Sequence, residues 1–112
     1  MRARFGFAIV RGRSMLPTLR AGDWLLVRYQ AKPSAGRLLV VRLPDGVVAV
    51  KRAMLLDESG WWVARDNPDE GVDSWTYGSA VPRSDVLAVV VGRVWPRPGR
   101  AGWRAPHRPA AP

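Results

Sequence analysis

Two residues in this chain are of a type and in a setting that could do chemistry. Ser14 sits in Gly12-Arg13-Ser14-Met15-Leu16-Pro17-Thr18-Leu19, where an apolar run has just ended and a proline-stiffened turn begins. A hydroxyl at such an edge is held in place while nearby backbone N–H groups point outward, which suits a nucleophile. The same serine would equally serve as the cap of one helical turn over Ser14–Leu19, since Pro17 is tolerated in a first turn. Lys51 lies in Val47-Val48-Ala49-Val50-Lys51-Arg52-Ala53-Met54. Strand alternation puts Val47, Ala49, Lys51 and Ala53 on one face. An ammonium among small apolar neighbours loses hydration, and its pKa falls from about 10.4 toward neutrality; the alternative is a lysine snorkelling to water. Of the 18 cationic residues, 16 are Arg and only Lys32 and Lys51 are Lys. Arginine cannot give up its proton and lysine can, so a lysine here suits a base. A neutral Lys51 taking the proton of Ser14 as it attacks a carbonyl would make a Ser/Lys dyad.

The elements that must position this pair read as strands. From Phe5 to about Val91, short apolar runs alternate with Gly, Pro, Asp and Asn breaks, the rhythm of an all-β domain. Strands are expected at 7–11, 24–29, 38–43, 47–53, 61–64 and 87–94. Ala21-Gly22-Asp23 and Pro44-Asp45-Gly46 are turn sequences, and the second should join its flanking runs in an antiparallel hairpin. Residues 66–82 read as one long loop rich in Asp, Gly, Asn, Pro and Ser, the kind that is functional or mobile. The expected organisation is one domain over 1–95 and a flexible Pro/Arg-rich tail over 96–112.

Composition excludes much else. The chain has 112 residues, 47% of them apolar, enough for one modest core. It has no cysteine, which removes disulfide scaffolds, zinc ribbons and thiol nucleophiles. Its one histidine, His107, lies in the tail, so neither a His-based triad nor a multi-His metal site is expected. No apolar run approaches the roughly 20 residues that span a bilayer, and no signal peptide is evident, so a cytoplasmic protein without a transmembrane anchor is expected. The net charge of +9 is partly concentrated in Arg93, Arg97, Arg100, Arg104 and Arg108. That arm leaves peripheral membrane contact open, while specific nucleic-acid binding is not expected.

Ser14-Met15-Leu16-Pro17-Thr18, then Gly22-Asp23 with Leu25-Leu26-Val27, then Val50-Lys51-Arg52, then Asp66-Asn67 and Asp73-Ser74 ahead of Tyr77-Gly78 follow one another in order. In this the chain resembles type I signal peptidases (the S26 type) over residues 10–95. Its short length and the Trp61-Trp62 pair look most like the small soluble nickel-type superoxide dismutase maturation proteases. The resemblance implies a mainly β, single-domain coiled half-barrel, of the kind shared with self-cleaving repressors. It implies that Ser14 is the nucleophile and Lys51 the general base of an endopeptidase that removes an N-terminal leader from a protein precursor, without cofactor or metal. The precursor it implies is that of nickel-type superoxide dismutase. The Ser14 backbone N–H would bind the oxyanion, and Gly12 stands where many relatives carry a second, hydroxyl donor, worth up to about 10² to 10³ in rate. Met15 would line the substrate pocket, with Pro17, Thr18, Asp66, Asn67, Asp73 and Ser74 supporting the site. Three positions depart from the pattern. Arg65 replaces a glycine, so a positive φ there would be strained. Gly71 replaces the lysine-orienting serine, leaving that role to Ser74, Thr18 or water. Trp75 replaces an arginine that would pair with the loop acids.

Two other classes fit parts of the sequence. A repressor-type self-cleaving domain shares the Ser-Met and Val-Lys-Arg pieces and cuts an Ala-Gly bond before its serine, whereas Ala21-Gly22, Ala35-Gly36 and Ala101-Gly102 all follow Ser14. A small β nucleic-acid module would use Trp24, Trp61, Trp62 and Trp75 as stacking platforms, though tryptophans in a small chain also fill cores.

Overall fold

A computed structural model describes residues 4–100. Seven strands form one antiparallel sheet: β1 (Arg4–Ile9), β2 (Trp24–Tyr29), β3 (Leu38–Arg42), β4 (Val48–Asp57), β5 (Gly60–Ala64), β6 (Val86–Trp95) and β7 (Gly99–Arg100). The order across the sheet is β1-β2-β6-β3-β4-β5, with β7 paired to β6 off that path. The mainly β class expected from the sequence is what the chain adopts. Pro44-Asp45-Gly46 does join β3 to β4, with Leu39 opposite Lys51 and Val41 opposite Ala49.

Alternation along the strands sorts the apolar residues into two clusters on opposite faces. Val10, Leu25, Val27, Leu38, Val40, Ala88 and Val90 pack with Met15 and Leu19 on one face. Leu39, Val41, Ala53, Trp61, Val63, Val81 and Val89 pack on the other. Central β3 is buried on both faces, which is why its sequence is a continuous apolar run rather than an alternating one. Register shifts between Leu26 and Val27, between Val40 and Val41, and between Ala53 and Leu55 bend the sheet. β1 and β4 are separated by three strands, yet both line one groove. The sheet therefore curls back on itself as a half-barrel.

Three expectations need correcting in detail. β4 runs on to Asp57 and turns into β5 through Asp57–Gly60, where the Asp57 carboxylate accepts hydrogen bonds from the Ser59 N–H and hydroxyl. Residues 66–82 are not one irregular loop but hold a helical turn, α1 (Ser74–Tyr77), closed by a capping box between Asp73 and Thr76. Ser14–Thr18 forms turns rather than helix. Within the stretch expected as a tail over 96–112, β7 pairs Gly99 with Arg93; residues 101–112, with His107, lie outside the described residues. Among the described residues no helix is long and apolar enough to cross a membrane.

Candidate active site

β1 delivers the chain to the Ser14 turn, and the turn is pinned from below. Met15 and Leu19 are buried in the first cluster, and the Leu19 N–H donates to the Met15 carbonyl at 2.9 Å. Met15 thus serves the core and also reaches the groove above it, while Pro17 is exposed. Between them Ser14 is left half-buried at the surface of the turn. Lys51 comes from the middle of β4, sharing a face with Ala49 and Ala53. Its side chain does not snorkel: the residue is 2% exposed, and Nζ lies 3.0 Å from Ser14 Oγ. Among the described residues this is its one hydrogen bond. Burial holds the Lys51 amine below its usual pKa, opposed by the charge of Asp73, reinforced by Arg65 and opposed again by Asp66.

The Asp-Asn pair ties the turn down. The Asn67 N–H donates to the Ser14 carbonyl and Asn67 Nδ2 to the Arg13 carbonyl, both at 2.8 Å. Asp66, next to it, is clamped by Arg52: Nε donates to Oδ1 at 2.9 Å and the terminal nitrogen to Oδ2 at 2.6 Å, with both side chains wholly buried. The Thr18 hydroxyl donates to the same Asp66 oxygen at 2.6 Å, so one carboxylate joins β4, the Ser14 turn and the 66–72 segment. Asp73 caps α1 and pairs with Arg65 at 3.4 Å.

The three departures resolve differently from expectation. Arg65 has no left-handed backbone (Gln30 is the one positive-φ residue other than glycine among those described), so no strain arises there. Instead its guanidinium binds the Asn67 and Pro68 carbonyls, the Thr76 hydroxyl and Asp73, supplying the ion pair that Trp75 cannot. Trp75 lies against Trp62, ring centroids 5.2 Å apart. Gly71 has φ +97°, and a Cβ there would stand 2.4 Å from Ser14 Cβ. A serine at 71 would displace the Ser14 side chain, and the close approach requires glycine. Neither proposed substitute orients the lysine: Ser74 Oγ accepts the Val63 N–H at 2.9 Å, and the Thr18 hydroxyl is committed to Asp66.

A groove of about 540 Å³ opens at Ser14. Ala8, Val10, Met15, Val40 and Val50 make it apolar, and Lys51 and Gly71 flank its end. β5 joins β4 only from Arg52 onward, so among the described residues no strand pairs with the outer edge of β4 over 48–51, which faces this space. Two contacts that the sequence did not disclose frame the groove. Arg13 pairs with Glu70 at 3.1 Å beside Ser14, and the Tyr77 hydroxyl donates to Asp45 Oδ2 at 2.8 Å at the hairpin tip. The Val47 N–H and that hydroxyl hold the Asp45 carboxyl below its usual range. Among the described residues no cluster of His, Asp or Glu could hold a metal ion. Gly12 adopts φ +73° with open space around it, a conformation that favours glycine.

What such an arrangement can do is transfer a proton from a hydroxyl to a desolvated amine beside an apolar groove with a free strand edge. Comparison with curated proteins gives no match. The Peptidase S24-like family model matches residues 3–90, nearly the whole described sheet, and that family includes self-cleaving Ser/Lys proteases and repressors. The chain belongs to the Peptidase S24-like family.

Proposed function

We propose that the protein is a Ser/Lys endopeptidase that cleaves a protein precursor in trans, near its N-terminus. The observation that carries this is the buried Lys51 amine 3.0 Å from the Ser14 hydroxyl, at the mouth of an apolar groove. A substrate strand adds to the free β4 edge at residues 48–51, extending the sheet by main-chain hydrogen bonds. Neutral Lys51 takes the Ser14 proton as Oγ bonds to the scissile carbonyl carbon. The oxyanion is met by the Ser14 N–H, which donates to no acceptor among the described residues, with the Gly12 backbone beside it. The lysinium then protonates the leaving amine, the C–N bond breaks, and an acyl-serine remains. Water attacks that ester, giving a proton to Lys51; the lysinium returns it to Ser14 Oγ as the C–Oγ bond breaks, and the acid product leaves with the serine hydroxyl and the neutral amine restored. Thr18, Asp66 and Asn67 keep the turn in place, while Asp73 and Ser74 tie α1 to Arg65 and β5 behind it.

The resemblance to the nickel-type superoxide dismutase maturation proteases names the precursor in this reading. The test is to incubate the protein with that precursor and read the new N-terminus by mass spectrometry. A Ser14-dependent cut that removes the leader supports the reading, and an intact precursor sinks its substrate. The family match favours a second reading, self-cleavage. Mass analysis of the protein alone after standing at alkaline pH separates the two, because only self-cleavage shortens the chain.

A further inference from the structure

The first apolar cluster covers its sheet face from β1 to β3, but the second covers its own face only over β3 to β6. Over β1 and β2 that second face is bare. Alternation places Phe5, Phe7 and Ile9 of β1 there with Trp24 and Leu26 of β2, and Trp95 of β6 pairs with Trp24. These are not scattered side chains. Phe7 lies opposite Leu26 and Ile9 opposite Trp24, and the Phe7 and Trp24 rings meet edge-on at 6.2 Å. Phe5 is 54% exposed, Phe7 62%, Ile9 47%, Trp24 41% and Trp95 60%. A contiguous apolar face of this kind on a small domain marks a contact surface.

At the Phe5 end the face runs into a separate cleft of about 630 Å³ lined by Arg28, Lys32 and Arg37 with Gln30 and Val91. No carboxylate lines it, and none of the three cations is in an ion pair among the described residues. Arg37 Nε is buried with no hydrogen-bond partner, while its terminal nitrogen reaches only the Val90 carbonyl at 3.4 Å. A buried guanidinium donor without an acceptor is costly, and an anion in the cleft would satisfy it.

We propose that this face docks on an anionic lipid bilayer, with the aromatic side chains entering the headgroup boundary and the Arg28/Lys32/Arg37 cleft taking a headgroup phosphate. Tryptophan and phenylalanine beside cations are the side chains that rest at this depth. Charge argues against a second copy as the occupant. A second copy would bring two chains of net charge +9 together and would leave the Arg28/Lys32/Arg37 cleft, at one end of the face, without an anion. The layout argues against nucleic acid. Stacking platforms need free ring faces interleaved with cations, whereas Ile9 and Leu26 lie among these aromatics and the cations gather at one end. The contact does not rest on the cleavage reading: Ile9 borders both surfaces, but Phe5, Phe7 and Trp95 do not line the Ser14 groove.

The test uses the full chain with phosphatidylcholine vesicles, with and without phosphatidylglycerol, followed by co-sedimentation and tryptophan fluorescence. The expected result is binding to the phosphatidylglycerol vesicles with a blue shift. Phe7→Ser combined with Trp95→Ser should weaken it at least about tenfold. Neutralising Arg28, Lys32 and Arg37 to Gln should weaken it about fivefold for each cation. All these variants keep the basic residues 101–112, so unchanged binding by them would assign adsorption to another surface and overturn the proposal. It is also overturned by equal binding to phosphatidylcholine alone, by tighter binding to single-stranded DNA than to the vesicles, or by a lipid-free dimer that Phe7→Ser dissolves. Circular dichroism of each variant guards against misfolding, and the single substitutions Phe7→Ser and Trp95→Ser stand in should the pair fail to fold.

Discussion

Lys51 and Arg52 are neighbours on β4, point to opposite faces and are both buried, yet they are two different uses of positive charge. Arg52 is met by both oxygens of Asp66 and by the Gly36 carbonyl. Lys51 is met by a neutral hydroxyl. A buried cation that faces a carboxylate stays charged and holds structure together, whereas one that faces a hydroxyl is pushed toward its neutral form and can move protons. Burial alone does not distinguish a structural charge from a reactive one; the partner does.

The largest effects fall on the reactive side of that comparison. Ser14→Ala, Lys51→Ala and Lys51→Arg should each lower kcat for precursor cleavage by about 10⁴-fold or more. Lys51→Arg is the sharper variant, because it keeps the charge and removes the capacity to deprotonate. Activity of the native protein should rise with pH as Lys51 loses its proton and then level off; a flat profile from pH 5 to 9 would count against Lys51 as base. Stability follows the same group with a definite sign. The folded pKa lies below the unfolded value of 10.5 because of burial, so the unfolded chain binds the proton more readily. The penalty is fully present below the folded pKa and is relieved as pH rises from there toward 10.5. Lys51→Met should therefore be more stable than the native protein at neutral pH, with the difference shrinking as pH rises in urea titrations.

On the structural side the sign reverses. Arg52→Met leaves Asp66 buried without its cation and should destabilise by about 3–5 kcal/mol. The double change Arg52→Met with Asp66→Leu should recover much of that, since the stranded charge is gone. Should the double variant be no more stable than the single, the loss lies in the Thr18 and Gly36 contacts and not in the ion pair.

Ser14 and Lys51, which the fold brings to 3.0 Å, were legible as candidates because each is of an unusual type in its place: a serine opening a proline turn, a lysine in a chain of arginines. The β3–β4 hairpin was legible because Pro-Asp-Gly allows little else. What escaped the sequence depends on contacts far apart in it. Gly71 read as a missing hydroxyl, when it is the spacer that lets residue 71 lie against Ser14. Arg65 read as a strained replacement, when its long side chain supplies the cation lost at Trp75. α1 was missed because its capping box pairs Asp with Thr rather than Ser or Thr with Glu. Trp61 fills the core as composition suggests, but Trp24 and Trp75 stay exposed, and alternation alone does not reveal which half of a sheet face goes uncovered.

The finest test separates two holds on the Ser14 turn, one from each kind of environment. Asn67→Ala removes the Nδ2 bond to Arg13 and keeps the backbone bond to Ser14, so the serine should sit more loosely. A drop of about tenfold in kcat with little change in KM is expected, since misplacement of a nucleophile is felt in the chemical step. Glu70→Gln breaks the neighbouring Arg13 ion pair, whose side chains are 69% and 46% exposed. Water and salt screen such a pair to less than about 1 kcal/mol, so cleavage should change less than about twofold. If Glu70→Gln instead matches Asn67→Ala, and added salt reproduces its effect in the native protein, then the Arg13–Glu70 pair positions the nucleophile despite its exposure, and burial is a poorer guide to function in this site than the Lys51–Arg52 contrast implies.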